Sequence, residues 1–151
     1  MLGLIQRVSY AHVAVEDDVN GDVDIVGKID RGILLLLGVQ PEDTEDSARK
    51  LLHKVMHYRI FPDDAGKMNL NVQQVGGGLL VVSQFTLPAD TQKGLRPSFT
   101  SSAPPELAEG LYNYFVAQAK QACPQLATGI FGANMQVTLC NDGPVTFMLE
   151  S

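Results

Sequence analysis

The sequence lacks the long hydrophobic run that would carry the chain across a membrane. No stretch contains the roughly 18 consecutive apolar residues that a transmembrane helix requires. The opening MLGLIQRVSYAHV has no basic segment that leads into an apolar stretch and a cleavage site of small residues. We therefore expect neither a membrane-spanning helix nor a secretory signal peptide, and the sequence predicts a cytoplasmic protein with no membrane partner.

Cysteine is scarce, and the patterns of metal-binding and cofactor-binding residues are missing. Cys123 and Cys140 have neither the spacing of metal ligands nor the density of a disulfide framework, so we expect reduced thiols. His53 and His57 lie four residues apart, but no glutamate stands between them as in a zinc-protease helix. The glycines Gly76–Gly78 are not followed by the lysine of a phosphate-binding loop. The sequence therefore predicts no metal ion and no cofactor.

Positive charge is also in deficit. The chain has 11 Lys and Arg residues against 17 Asp and Glu residues, for a formal net charge of −6. A protein that coats nucleic acid normally needs a basic face to neutralise phosphates, so any RNA partner must be held locally. Lys93 and Arg96 flank Gly94 and form one local basic cluster, although such a pair is more often an ordinary solvated loop.

The sequence does contain enough apolar residues for a hydrophobic core. Of its 151 residues, 45% are apolar and 19% are charged, which is typical of one compact domain over residues 1–151. The segments GLIQRVSYAHVAVE and VDIVGKID show strand character on either side of a turn around Asn20 and Gly21, and are expected to pair antiparallel. GILLLLGV is apolar on every face, which is typical of a central strand.

Two helices and further strands follow. Thr44 suits the start of a helix that runs to about Tyr58, and Pro105 suits the first turn of a second helix. A buried strand is expected near Leu79 to Thr86. We therefore predict an α+β fold, with a mostly antiparallel or barrel-like sheet and two main helices.

The stretch NDGPVTF, near the end of the chain, contains a signal that a simple strand does not explain. Asp142 and Gly143 between the strand-like segments ANMQVTLCN and PVTFMLE predict a β-hairpin turn. Pro144, however, removes a backbone donor where the returning strand should begin to pair. The hairpin prediction therefore leaves this proline unexplained.

The stretch SQFTL, at the end of the predicted strand, admits two interpretations. Polar residues at a buried strand end are often satisfied by neighbouring backbone groups, which is the more common case. Alternatively, the N–H groups of Phe85 and Thr86 hold an oxyanion that develops during a reaction, with the Thr86 hydroxyl nearby. Ser83 does not lie in the G-x-S-x-G context of a serine hydrolase. The local sequence does not decide between these interpretations.

The two stretches together resemble the signature motifs of the D-aminoacyl-tRNA deacylases. The resemblance rests on SQFTL at Ser83–Leu87 and NDGPVT at Asn141–Thr146, and it extends to YRIFPDDAGKMNLNVQQVGG and ADTQKGLRPSF. It implies a hydrolase that cleaves the ester bond of D-aminoacyl-tRNA, and of glycyl-tRNA, in chiral proofreading. It implies catalytic residues Ser83, Gln84, Phe85 and Thr86, and substrate-binding residues Gly143, Pro144 and Arg7.

The resemblance also implies a homodimer that binds the 3′ aminoacyl end of tRNA. The Gly143–Pro144 bond is expected to be cis and to reach into the partner's active site, where two carbonyls accept hydrogen bonds from the substrate ammonium group. Arg7 is expected to hold the Gly143 and Pro144 carbonyls of the partner subunit in place. A rigid main-chain site can reject the L side chain by a steric clash.

Two routes of ester cleavage stay open, together with two other functions. Thr86 acts as a nucleophile in one route, although the sequence reveals no base to activate it. In the favoured route, the neighbouring ribose hydroxyl of the substrate assists a water molecule. The other functions are a noncatalytic nucleic-acid-binding module on the same fold and a general esterase that uses Ser83 or Thr86.

Overall fold

The computed structural model describes residues 1–16 and 21–151, so Asn20, where a turn is predicted, lies outside the described residues. The described elements are, in chain order, β1 (Leu2–Glu16), β2 (Val23–Ile29), β3 (Gly32–Gly38), α1 (Glu45–His57), β4 (Phe61–Pro62), β5 (Met68–Leu70), β6 (Gly78–Ser83), α2 (Pro105–Ala122), β7 (Leu126–Thr128) and β8 (Met135–Glu150).

Strand β1 organises a mixed sheet of six strands. It pairs antiparallel with β8 along its whole length, with β3 through its first half and with β2 through its second half. Strands β3, β6 and β7 continue the sheet in parallel. Strands β4 and β5 form a separate small hairpin. The sheet is therefore mostly antiparallel, with two parallel pairs.

The two ends of this sheet approach each other where β2 meets β7. A Cβ atom on Gly27 would lie 2.3 Å from the carbonyl oxygen of Thr128, so glycine allows the strands to come this close. The sheet thus nearly closes into a barrel. Together with the two helices, this confirms the predicted α+β class.

Two apolar clusters cover the two faces of the sheet. The larger cluster packs α1 and α2 against one face, through residues such as Leu51, Val55 and Phe115. The smaller cluster lies on the opposite face and includes Val13 and Val82. Strand β3 contributes to both clusters and is buried at six of its seven positions, which confirms the prediction of a central strand.

Both helices begin where the sequence predicts. Thr44 caps α1: its hydroxyl accepts a hydrogen bond from the Ser47 N–H, and the Ser47 hydroxyl accepts one from the Thr44 N–H. Pro105 occupies the first turn of α2, where the absence of an N–H costs no hydrogen bond. Neither described helix is long and apolar enough to cross a membrane.

The predicted C-terminal hairpin is wrong, because β8 is one strand of 16 residues. Gln6 pairs with Thr146 and Val8 pairs with Asn141. One residue of β1, Arg7, therefore faces the four residues 142–145, which bulge out of the ladder. A bulge and a hairpin share the same Asp-Gly signal, and here the long strand β1 offers β8 a continuous partner.

The strand predicted from Leu79 to Thr86 is also shorter than expected. Strand β6 ends at Ser83, and the residues that follow form a turn. The polar stretch therefore leaves the sheet before Phe85 and Thr86 are reached.

Candidate active site

The turn after β6 leaves two backbone donors available. The Gln84 N–H donates to the Leu37 carbonyl at 2.8 Å, and the Leu87 N–H donates back to the Gln84 carbonyl at 3.2 Å. Among the described residues, none accepts a hydrogen bond from the N–H of Phe85 or Thr86. Two consecutive free N–H groups are the arrangement that binds a developing oxyanion.

Side chains hold this turn in shape. The Gln84 amide donates to the Thr86 hydroxyl, and the Ser102 hydroxyl donates to the Phe85 carbonyl at 2.9 Å. The Phe85 ring is 64% exposed and lies 5.3 Å from the Phe99 ring, centroid to centroid. The turn is thus fixed to the segment before α2, while its outer surface faces solvent.

A cleft of about 730 Å³ opens beside the turn. Its walls come from the ends of β3 and β6, the start of α2 and the segment before β8. Most of the wall is apolar, and two aromatic rings, those of Tyr112 and Phe131, lie 5.7 Å apart in it. Such a cleft suits a flat, partly apolar group next to a polar reacting centre.

Among the described residues, the cleft has no side chain suited to act as a general base. Tyr112 is the one titratable residue of the described part of the chain that lines it. Burial raises the pKa of the Tyr112 hydroxyl above its ordinary value, and this hydroxyl donates to the Val81 carbonyl at 3.3 Å. Tyr112 therefore stays neutral at physiological pH, and no described residue of the cleft can activate the Thr86 hydroxyl.

The bulge in β8 presents the second motif. The Gly143–Pro144 bond is cis, as the resemblance implies, and Gly143 has a φ of 132°, a conformation that favours glycine. Residues 142–144 are exposed, whereas Val145 is buried in the larger cluster. The Asn141 side chain accepts from the Val145 N–H at 3.0 Å and closes the bulge.

Arg7 supports the bulge of its own chain, whereas the resemblance led us to expect that it holds the partner subunit's carbonyls. Its Nε donates to the Asp142 carbonyl at 3.1 Å, and its Nη1 donates to the Ile60 carbonyl at 2.7 Å. The Asp142 carboxylate lies 3.3 Å from the same Nε. The Arg7 side chain is only 12% exposed. It therefore differs from an ordinary solvent-facing strand residue.

Within one chain the two motifs lie apart. Ser83 pairs with Leu37 near the end of β3, whereas Arg7, beside the bulge, pairs with Ile33 near the beginning. Four residues of β3 span about 13 Å at 3.3 Å per residue, and β1 and β3 lie between β6 and β8. One chain does not bring Ser83–Thr86 and Gly143–Pro144 into a single site.

Sequence reasoning missed the wall of the cleft. Phe99, Tyr112 and Phe131 lie far apart in the chain and in unrelated segments, so no spacing links them. The loop with Lys93 and Arg96 is exposed, and Phe99 lies three residues after Arg96. Within residues 1–16 and 21–151, no group of three or more His, Cys, Asp or Glu residues is arranged to hold a metal ion.

Comparison with known proteins identifies close relatives over the full length of the chain. The family described as D-Tyr-tRNA(Tyr) deacylase matches residues 4–150. The D-aminoacyl-tRNA deacylase of Cellvibrio japonicus is 61% identical over 150 residues, 99% of each chain. The protein of the same name from Pseudomonas aeruginosa is 58% identical over 151 residues, 100% of each chain.

Two solved structures share the fold. The structure of a c-Myc DNA Unwinding Element Binding Protein has a TM-score of 0.91 and 40% identity, and the match covers 100% of this chain and 99% of that one. The structure of a probable eukaryotic D-amino acid tRNA deacylase has a TM-score of 0.85 over 99% of this chain and 98% of that one. Its identity of 15% supports the fold alone.

Replacing Arg7 tests whether its guanidinium group holds the bulge. Arg7→Lys keeps the charge but replaces the planar guanidinium group, which has several fixed N–H donors, by a single ammonium group. The lysine therefore cannot keep both carbonyl contacts. Because a hydrogen bond to a charged group contributes about 1.5–3 kcal/mol, we expect the free energy of unfolding to fall by about that amount. Urea unfolding measures this loss. Mass spectrometry of amide exchange should show faster exchange in the peptide that contains residues 141–147.

Arg59→Lys is the matched control, because Arg59 is exposed and donates one bond, to the Asn69 carbonyl at 2.9 Å. It should leave exchange in the 141–147 peptide unchanged. Equal exchange rates in Arg7→Lys and the wild type would contradict the role of Arg7.

Proposed function

Because the chain belongs to the D-Tyr-tRNA(Tyr) deacylase family, we propose that it hydrolyses the ester bond of D-aminoacyl-tRNA and releases the free D-amino acid and tRNA. Glycyl-tRNA is a second substrate, since glycine has no side chain for the site to reject. The observation that carries the proposal is the pair of free N–H groups at Phe85 and Thr86, beside a cleft whose described residues include no general base. We place this activity in the cytoplasm, where the ribosome uses aminoacyl-tRNA.

The chemistry of the substrate matches what the cleft offers. An aminoacyl ester is already activated, so hydrolysis requires positioning, a water molecule and stabilisation of the oxyanion. The N–H groups of Phe85 and Thr86 supply two donors for that oxyanion. The terminal adenosine is the flat group joined to the ester, and the aromatic wall of Tyr112 and Phe131 suits its base.

The ribose hydroxyl next to the ester is the group that assists the attacking water. The Thr86 hydroxyl is a poor nucleophile here, because no described residue of the cleft is a base and the hydroxyl already accepts a hydrogen bond from Gln84. The substrate, in contrast, carries its own vicinal hydroxyl at the reacting centre. The enzyme then contributes main-chain donors and orientation.

The site is completed by a second copy of the chain in a homodimer. Gly143 and Pro144 are exposed on the bulge, and in one chain they lie far from Ser83–Thr86. A two-fold dimer allows the bulge of each subunit to meet the cleft of the other. The carbonyls of Gly143 and Pro144 then accept hydrogen bonds from the substrate ammonium group, and Arg7 of the same subunit supports them through Asp142.

Chirality is then selected by main-chain geometry. With the ammonium group and the ester both held by backbone, the side chain and the Cα hydrogen exchange places between enantiomers. An L side chain must collide with the main chain, and such a clash discriminates more strongly than the roughly 1–3 kcal/mol that an apolar pocket gains from one methylene.

Two other functions are weaker candidates. The protein whose structure is 40% identical is named for binding a DNA element, but a net charge of −6 disfavours binding that relies on many phosphate contacts. A general esterase would need an activated Ser83 or Thr86. Neither has a base among the described residues of the cleft.

Hydrolysis assays on three substrates test the function. We expect release of the amino acid from D-tyrosyl-tRNA and glycyl-tRNA, and a rate on L-tyrosyl-tRNA that is lower by at least about 100-fold, because rejection by a clash exceeds what one apolar contact provides. Equal rates on D- and L-substrates would exclude chiral proofreading. Comparable activity on a simple activated ester would support the general esterase.

Mixing two inactive variants tests the shared site. Phe85→Pro removes one N–H donor of the cleft, and Gly143→Ala places a Cβ where only glycine suits the φ of 132°. After subunit exchange, half of the dimers are mixed and each has one intact site, so about a quarter of the wild-type activity should return. No recovery, with exchange confirmed by native mass spectrometry, would show that each site lies within one chain.

Thr86→Ala and a modified substrate separate the two routes of cleavage. We expect Thr86→Ala to keep substantial activity, because the hydroxyl is not the nucleophile. A substrate whose terminal adenosine is 2′-deoxy, with the amino acid on the 3′ oxygen, should bind but resist hydrolysis. Phe85→Pro should cost more than Thr86→Ala, since losing one oxyanion donor costs about 100-fold to 1000-fold in rate. A Thr86→Ala protein that binds tRNA but is inactive, together with a reactive 2′-deoxy substrate, would establish the nucleophile route.

A further inference from the structure

A basic surface covers α1 of this otherwise acidic chain. Between Asp46 and Asp63 the sequence contains no acidic residue, yet this stretch holds four of the 11 Lys and Arg residues and two of the three His residues. All six side chains are exposed. We name them the α1 basic face: Arg49, Lys50, His53, Lys54, His57 and Arg59.

Helical spacing places these residues together. Positions 49, 50, 53, 54 and 57 follow one side of a helix with 3.6 residues per turn, and the opposite side of α1 is buried in the larger cluster. Four of them line a depression of about 460 Å³ that also includes Ser151. The rings of His53 and His57 lie 4.2 Å apart, centroid to centroid.

The positive charge of this face is compensated only at its start. The Asp46 carboxylate lies 2.7 Å from Lys50 Nζ and 3.4 Å from Arg49 Nη2, and Lys50 is the main reason why the pKa of Asp46 is below its ordinary value. Lys54 donates to a neutral group, the Glu150 carbonyl. From His53 to Arg59, none of these side chains forms an ion pair with a described residue.

The end of the face adjoins the bulge in β8. His57 is the last residue of α1, and the Ile60 carbonyl, three residues later, accepts a hydrogen bond from Arg7. Arg7 also holds Asp142 at the bulge. In addition, the Tyr58 and Phe147 rings lie 5.5 Å apart across the same junction. The C-terminal end of the α1 basic face is thus connected to the bulge through Ile60 and Arg7.

We propose that the α1 basic face binds backbone phosphates of the tRNA whose aminoacyl end occupies the partner subunit's cleft. This inference rests on the proposed function and on the shared site. The bulge of one subunit meets the substrate in the other subunit's cleft, so the remainder of that tRNA lies beside α1 of the subunit that supplies the bulge. A row of exposed cations, spaced along a helix, suits consecutive phosphates and requires no base recognition.

The double variant Lys50→Gln/Lys54→Gln tests this proposal in the full-length dimer. Each phosphate contact contributes about 0.7 decade of affinity per decade of salt, so at 0.1 M salt the loss of one or two contacts should weaken tRNA binding by about 5- to 25-fold. The salt slope should become shallower by about 0.7 to 1.4. Hydrolysis of D-tyrosyl-adenosine, which has no phosphates, should be unchanged.

Lys28→Gln/Lys120→Gln is the control, because it removes the same charge from exposed lysines of β2 and α2, outside the α1 basic face. This control should alter tRNA binding by less than about 2-fold. Equal weakening by both double variants would overturn the proposal in favour of a general charge effect. An unchanged affinity in Lys50→Gln/Lys54→Gln, or an equal loss on D-tyrosyl-adenosine, would also overturn it.

Binding of uncharged tRNA separates this proposal from the proposed function. If the wild type hydrolyses neither D-tyrosyl-tRNA nor D-tyrosyl-adenosine, the proposed function fails. The affinities of the wild type and the two double variants for uncharged tRNA then still decide whether the α1 basic face binds RNA.

Discussion

The antiparallel pairing of β1 with β8 is the constraint on which the rest of the structure depends. It extends from Leu2 and Glu150 at one end to Val15 and Met135 at the other. Side chains of β1 alternate between the two faces of the sheet, so Ile5 enters the larger cluster and Val8, three residues later, enters the smaller one. A shift of this register by one residue would turn each of these side chains to the opposite face of the sheet and disrupt the packing of both clusters.

The same pairing fixes the bulge that carries Gly143 and Pro144. Because one residue of β1 faces four residues of β8, the excess chain must leave the ladder at this position. Arg7 is the β1 residue at that position. Its guanidinium group donates hydrogen bonds to the carbonyl of Asp142 in the bulge and to the carbonyl of Ile60. Val145 and the Asn141 side chain fix the bulge from beneath. An irregularity in the ladder is thereby held in one conformation.

Local patterns predicted the elements of this fold but not the long-range pairing. The capping residues of α1, Pro105 at the start of α2 and the apolar run of β3 act over a few residues, so the sequence specifies them directly. The Asp-Gly signal at Gly143 is also local, and it cannot distinguish a hairpin from a bulge. That choice depends on whether a partner strand continues past the turn, and β1 does. The sequence did not predict the cleft wall for a similar reason. Phe99, Tyr112 and Phe131 are distant in the sequence and line one cleft only in the folded chain.

The distribution of charge suits an enzyme that recognises one end of its substrate and binds the rest of the substrate weakly enough to release it easily. A cleft whose described lining residues carry no charge places the free N–H groups of Phe85 and Thr86 in surroundings where each hydrogen bond to an oxyanion is strong. The acidic remainder of the chain repels phosphates and limits nonspecific binding, since the net charge is −6. If the chain binds tRNA as proposed, the attraction must come from small basic areas, and the loop of Lys93 and Arg96 and the α1 basic face are the candidates. In the proposed site, selectivity between enantiomers rests on main chain, whose position side-chain substitutions alter least, whereas the proposed affinity for RNA rests on surface side chains. The two properties can therefore change independently.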